Sequence, residues 1–115
     1  MEVEVQKGIN HVVVIPRRKS VDASVAAEFK RKMQEIINSG ISLIVLDMRD
    51  VSFIDSTGLG SIISAYKTKD NEQTLVLCNI AEGIQDIFKI TKLDKFFTIF
   101  SSKESAFKAL KIDDE

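Results

Sequence analysis

The chain has 115 residues, 44% of them hydrophobic, which suits one two-layer core and a single domain over 1–115. Its 16 Lys and Arg nearly balance 17 Asp and Glu, so no whole-molecule field favours nucleic acid or an anionic membrane, and any partner has to be recognised locally. The N-terminal MEVEVQKGIN is charged and alternating, unlike a signal peptide, and the longest aliphatic stretch, ISLIVL, falls far short of the ~20 residues a membrane helix needs, so a cytoplasmic protein is expected.

EVEVQ at 2–6 alternates polar and apolar residues, and after the turn residues KGIN comes HVVVIP, closed by the only proline. The pair predicts a hairpin with one antiparallel strand at a sheet edge. PRRK at 16–19 has no interleaved aromatics and reads as a solvated loop rather than a polyanion site. From Asp22 the period becomes helical: Val25, Ala26, Phe29, Met33, Ile36 and Ile37 share a face, with Asp22 as N-cap and Gly40 as stop. ISLIVLDM and TLVLC at 74–78 are continuous aliphatic runs, expected as central parallel strands covered on both faces.

Between them Leu59, Ile62, Ile63 and Tyr66 mark a second helix that must begin at or just after Asp55 and Ser56. Ile80, Ile84, Ile87 and Phe88 mark a third, FFTIF a last strand, and Ser101 with Glu104 a capping box for a closing helix through Leu110. The fold class is therefore α/β: a mixed, mostly parallel sheet with one antiparallel edge strand, order ββαβαβαβα, and residues 110–115 as a frayed tail. Cys78, the only cysteine, excludes an internal disulfide and a multi-cysteine metal site, and reads as a small core residue.

FIDSTGLG, residues 53–60, sits where a strand gives way to a helix N-terminus, the place where open α/β sheets gather functional groups. The plainest reading is that Asp55 or Ser56 caps the helix while Gly58 and Gly60 allow close packing. A serine hydrolase elbow is excluded, because Ile54 stands where glycine is required and no histidine follows Ser56. His11 reads as a strand residue. DSTG breaks the contiguous motif of an aspartic protease. A phosphorelay receiver would use Asp47 as acyl-phosphate acceptor, but PRRKSVDAS lacks its acidic pair for Mg²⁺. GLG lacks the lysine and the glycine run of a P-loop, and Asp55 would repel a nucleotide's charge.

Taken whole, LIVLDMRDVSFIDSTGLGSIISAY from Leu43 to Tyr66 resembles the signature of the STAS domain, shared by bacterial anti-sigma factor antagonists and the cytoplasmic tails of sulfate transporters. VDAS at 21–24 looks like the family's L-D-A segment, and NIAEGIQDIFKITKLDKFFTIF like its third helix, turn and last strand. With no transmembrane segment, the resemblance implies the free-standing antagonist branch, a non-enzymatic binding module with no catalytic residue, metal or cofactor. It implies that an anti-sigma factor with serine kinase activity phosphorylates Ser56, with Thr57 as the second choice. The unphosphorylated form sequesters that partner and frees a sigma factor, and a serine phosphatase resets the switch.

Asp22, Asp55, Ser56, Thr57 and Gly58 are then the expected partner-binding positions, with Asp47 and Asp50 mainly structural, no direct nucleic-acid contact and no membrane contact. The physics agrees: a phosphate at an exposed strand–helix junction adds about −1.5 to −2 charges, and helix amides can accept it with little backbone change. The rival readings are a receiver-like or nucleotide-binding signalling domain, and a STAS scaffold subunit of a larger signalling complex.

Overall fold

The computed structural model describes residues 1–113. Strands β1 (Val3–Lys7) and β2 (His11–Pro16) form the opening hairpin, followed by a two-residue strand β3 (Ser20–Val21) and helix α1 (Ala26–Asn38). Next come β4 (Leu43–Asp47), a second two-residue strand β5 (Phe53–Ile54), and α2 (Ser56–Thr68). The chain ends with β6 (Thr74–Cys78), α3 (Glu82–Ile90), a 3₁₀ turn (Leu93–Lys95), β7 (Ile99–Phe100) and α4 (Lys103–Leu110).

The main sheet has the order β1-β2-β4-β6-β7 and is antiparallel only between β1 and β2. Period-two alternation within the aliphatic runs distributes their side chains to two cores. Val12, Val14, Ile44, Leu46, Leu75 and Leu77 meet Phe29 and Met33 of α1, Ile62 of α2 and Phe88 of α3 on one face. Val13, Ile15, Val45, Val76 and Cys78 meet Ala106 and Phe107 of α4 on the other. Continuous hydrophobic runs are what a sheet with helices on both faces requires.

Four local expectations are corrected. Asp22 does not cap α1 directly. Its carboxylate accepts the Ser24 N–H at 3.0 Å and its carbonyl the Ala26 N–H at 2.9 Å, organising a turn, and the helix starts four residues on with Val25 in the cap position. The closing helix is capped one residue later than expected, by Ser102, whose Oγ accepts the Ser105 N–H at 3.0 Å while the Ser105 Oγ accepts the Ser102 N–H at 3.1 Å. A serine thus does the reciprocal work assigned to Glu104.

Only Ile99 and Phe100 of FFTIF pair with β6, because Phe97 is drawn into an aromatic cluster with Tyr66 and Phe88 and its N–H goes to the Leu93 carbonyl at 2.9 Å. Finally, β3 and β5 form a parallel sheet of their own, pairing Ser20 with Phe53 and Val21 with Ile54. Two residues are too few for any periodic signal. Gly40 does stop α1, at φ +84°. At the far end α4 closes with Lys111 in the left-handed region and the Ile112 N–H on the Phe107 carbonyl at 2.8 Å. The expected fraying falls partly on residues 114–115, outside the described residues.

Asp47 at the end of β4 is fully buried, and its oxygens accept Asn79 Nδ2 at 2.9 Å, the Arg49 N–H at 3.1 Å and Arg49 Nε at 3.0 Å. Burial opposes ionisation, but the Arg49 and Asn79 hydrogen bonds and the Arg49 charge outweigh it, holding the carboxyl below its ordinary 3.8. A depressed folded-state pKa stabilises the fold above the unfolded value and ceases to do so as pH falls through the folded one. Asp47→Asn should therefore cost about 1.5–3 kcal/mol at neutral pH, a hydrogen-bonded charge being lost. That difference from wild type should shrink on acidification below the unfolded value of 3.8 in urea titrations at stepped pH.

At Gly58 an added Cβ would lie 1.9 Å from the Val21 carbonyl oxygen, whereas at Gly60 it would meet nothing within 4 Å. Gly58→Ala is expected to destabilise by about 1–3 kcal/mol through overpacking against backbone. Gly60→Ala should instead gain about 0.5–1 kcal/mol, the helix-propensity difference, and paired melting curves of the two variants check the contrast.

Candidate functional site

Alternation in β5 buries Ile54 and turns Phe53 outward, 56% exposed. Asp55 follows in an extended conformation, φ −99° and ψ −178°, and caps α2. One carboxylate oxygen, Oδ1, accepts the Gly58 N–H at 2.8 Å, and the other, Oδ2, reaches across to the Ala23 N–H at 3.0 Å. A single side chain thereby closes the first turn of α2 and ties down the loop between β3 and α1. The Lys19 carbonyl adds a second tie, accepting the Ser52 N–H at 2.8 Å and the Phe53 N–H at 3.1 Å.

On this frame Ser56 and Thr57, the first two residues of α2, are exposed, and Gly58 is buried. Ser56, Thr57 and Asp55 thus lie on one surface with the Asp22 loop, which Ala23 joins to Asp55. Gly58 supports that surface from beneath, letting α2 approach Val21 closely. Asp22 is half-buried and serves its own loop, accepting hydrogen bonds from Ser24 and from Ser20 Oγ at 2.9 Å. Those bonds, Ser24 first, hold its carboxyl below the ordinary carboxylate value.

The remaining sequence candidates are committed elsewhere. Asp47, both oxygens occupied and no surface exposed, is not presented as an acyl-phosphate acceptor. Asp50 pairs with Arg17 at 3.1 Å, and Arg17 Nε also donates to Glu4 at 2.9 Å. Arg18 donates to the Ser20 carbonyl at 2.8 Å, so much of the basic PRRK stretch is spent on local ties. Cys78 is buried beside Asp47, and burial first, then that carboxylate, pushes its thiol up to about 12, leaving no thiolate for chemistry at neutral pH. His11, at the opening of β2, packs edge-on against Phe107, 5.2 Å between ring centroids.

Two features escaped the sequence reading. Phe53 is a large aromatic left in solvent three residues before Ser56, and the only hint was that a two-residue strand with Ile54 inside must throw its neighbour out. The second is an open groove of about 250 Å³ between α1 and α2, running from Thr57 past Gly60 and Ser64 along Ala27 and Lys30. Small residues on two facing helices leave it unfilled.

The STAS domain family matches residues 1–106. An anti-sigma-B factor antagonist of Listeria monocytogenes is 32% identical over 81 residues, which is 69% of this chain and 70% of that protein. The crystal structure of an anti-sigma factor antagonist from Mycobacterium paratuberculosis superposes with a TM-score of 0.87 at 19% identity, covering 96% of this chain and 93% of that one. The Bacillus cell fate determinant SpoIIAA in its phosphorylated form superposes at 0.70 with 17% identity, covering 95% and 99%. The two structures, at such identities, speak for the fold alone. Because the family match spans nearly all of the described residues and the Listeria relative covers more than two thirds of the chain, the protein belongs to the STAS domain family, among relatives named anti-sigma factor antagonists.

Proposed function

We propose that this chain is an anti-sigma factor antagonist switched by phosphorylation at Ser56. Unphosphorylated, it binds an anti-sigma factor that carries serine kinase activity and so frees a sigma factor. The kinase then transfers the γ-phosphoryl group of ATP to Ser56 Oγ: the β–γ bridging P–O bond breaks, a new O–P bond forms, ADP leaves, and the hydroxyl proton passes to a base of the kinase. A serine phosphatase hydrolyses the ester and restores binding. The chain itself supplies a surface and an acceptor, and catalysis belongs to its partners.

The observation that carries this reading is the placement of Ser56, exposed on the first turn of a helix whose capping residue Asp55 accepts two backbone hydrogen bonds, from Gly58 and Ala23. A kinase needs an accessible hydroxyl, and a switch needs a fold that survives the modification. The Listeria relative, named an anti-sigma-B factor antagonist, supports carrying that role over to this chain. Thr57 is also exposed but opens onto the groove between α1 and α2, and is the second choice.

Charge explains the loss of binding. The Gly58 N–H, one of the amides a phosphate would seek, is already taken by Asp55, so an added phosphate finds fewer donors there and lies beside an existing carboxylate. A partner surface that covers Ser56 would have to desolvate both. Phe53 supplies the apolar part of the same surface, an aromatic anchor of the kind that dominates interface energetics.

With the partner kinase and ATP, mass spectrometry should find phosphate on Ser56 in wild type and Thr57→Ala, and none in Ser56→Ala. By titration calorimetry Ser56→Ala should bind like wild type and Ser56→Asp at least about tenfold more weakly, equivalent to ~1.4 kcal/mol. Undiminished binding by Ser56→Asp, or modification only outside residues 55–57, sinks the assignment.

Phe53→Ala should cost about 2 kcal/mol of binding while barely moving the melting temperature, since that ring packs against little of its own chain. Ile90→Ala, at an apolar position on α3 that is 81% exposed, is the control expected to bind normally.

A further inference from the structure

The main sheet ends in two margins of different character. β7 pairs with β6 over only two residues, too little backbone to receive another strand. β1 presents five residues in continuous register with β2, with no proline or glycine among them, and an open margin of that length is a ready template for pairing. Hydrogen-bond parity tells which groups it offers. The Gly8 N–H donates to the His11 carbonyl at 2.9 Å and the Arg17 N–H to the Glu2 carbonyl at 3.0 Å, so the even positions bond inward to β2. Bonded pairs alternate along an antiparallel ladder, and Val3, Val5 and Lys7 therefore direct their N–H and C=O groups outward.

We propose that two copies of this chain associate through β1, antiparallel about a two-fold axis at Val5, joining their main sheets into one. Parity and charge select that register. Centring on Glu4 would set it against Glu4 of the second copy, and like charges directly opposite are destabilising. Centring on Lys7 opposes two ammonium groups, centring on Val3 opposes Glu4 to Glu2, and centring on Gln6 carries Val3 beyond the end of the strand. Centring on Val5 engages the whole strand: Val5 meets Val5, Val3 meets Lys7 in bonded pairs, and Glu4 faces Gln6 between them.

The side chains suit this pairing. In the single chain the Gln6 amide donates to Glu4 of its own strand at 2.7 Å, a bond that exchange between copies preserves. Val5, 38% exposed, stands at the lip of a cleft of about 250 Å³ lined by Val12, Ile36 and Ile41 and rimmed by Lys7 and Glu35. Directly opposed residues share a face of the sheet, so Val3 of the second copy arrives beside Lys7 at the mouth of that cleft. The surface around Ser56 is built from β5 and α2 and contains no part of β1.

Sedimentation equilibrium of the wild-type protein should show a monomer–dimer equilibrium. Val5→Pro removes only an outward N–H and Val5→Lys places two cations on the axis, and each should weaken association at least about tenfold while the far-ultraviolet spectrum is retained. Mild oxidation reads the register independently, since the native Cys78 is buried. Val5→Cys should link to itself, its two Cα atoms lying ~5.5 Å apart in a bonded pair. Lys7→Cys should not, its two copies being about 13 Å apart, yet it should link to Val3→Cys in a mixture. Wild type that stays monomeric up to about 1 mM, a dimer indifferent to both Val5 substitutions, or self-linking of Lys7→Cys as fast as Val5→Cys overturns the proposal.

Discussion

The carboxylate of Asp55 is the constraint on which the functional end of this molecule depends. Its two oxygens take backbone N–H groups from segments far apart in sequence, Gly58 at the start of α2 and Ala23 in the loop before α1. Without the first, the opening turn of α2 loses its cap, and without the second, the β3–α1 loop is held to it only by the short β3–β5 ladder and the Lys19 carbonyl. The close approach of α2 to Val21, possible only because residue 58 has no Cβ, completes the clamp. Ser56 therefore rides on an over-determined piece of backbone, and its exposure is a fixed feature of the fold.

The acids of this chain divide by what answers their charge. Asp47 is buried and satisfied by Arg49 and Asn79, so it shapes the end of β4 and offers nothing to a visitor. Asp22 spends its oxygens on Ser20 and Ser24 and so stiffens a loop. Asp55 is only half-buried and is paired with dipoles rather than with a cation, so its negative charge is felt at the surface. That difference puts the electrostatic character of the candidate docking face in one residue, directly beside the hydroxyl proposed to acquire more charge.

Much of this was legible in the sequence because it rests on periodicity. HVVVIP, LIVLD and TLVLC announce a doubly covered sheet, and Phe29, Met33 and Ile37 the helix that covers it. The serine at a strand–helix junction was equally visible from FIDSTGLG and its resemblance to a known signature. What stayed hidden depends on single contacts between distant residues. Nothing in the spelling of Ser20–Val21 or Phe53–Ile54 announces that they pair, and of the adjacent Ser101 and Ser102 only the fold shows that the second caps the last helix, with Ser105. Gln73, whose amide nitrogen donates to the Ile37 and Ile41 carbonyls at 2.8 and 2.9 Å, pins the end of α1 to the start of β6 and carries no local signal at all.

The occupied cap also bears on how a modification here can act. A phosphate at a free helix N-terminus is drawn in by the first amides and partly neutralised by them. At Ser56 the amide of Gly58 is engaged by a carboxylate, and the amide of Ala23, the other donor facing that carboxylate, is engaged as well. The added charge lies beside a carboxylate that already holds one of the first-turn amides, so the helix answers less of it and more of it is projected at whatever docks. A helix capped by serine, with its amides open, would have folded the phosphate into the structure and muted it. Capping by the residue before the acceptor makes the same covalent change an external signal, so the sequence Asp-Ser at this junction suits a surface switch better than a structural one.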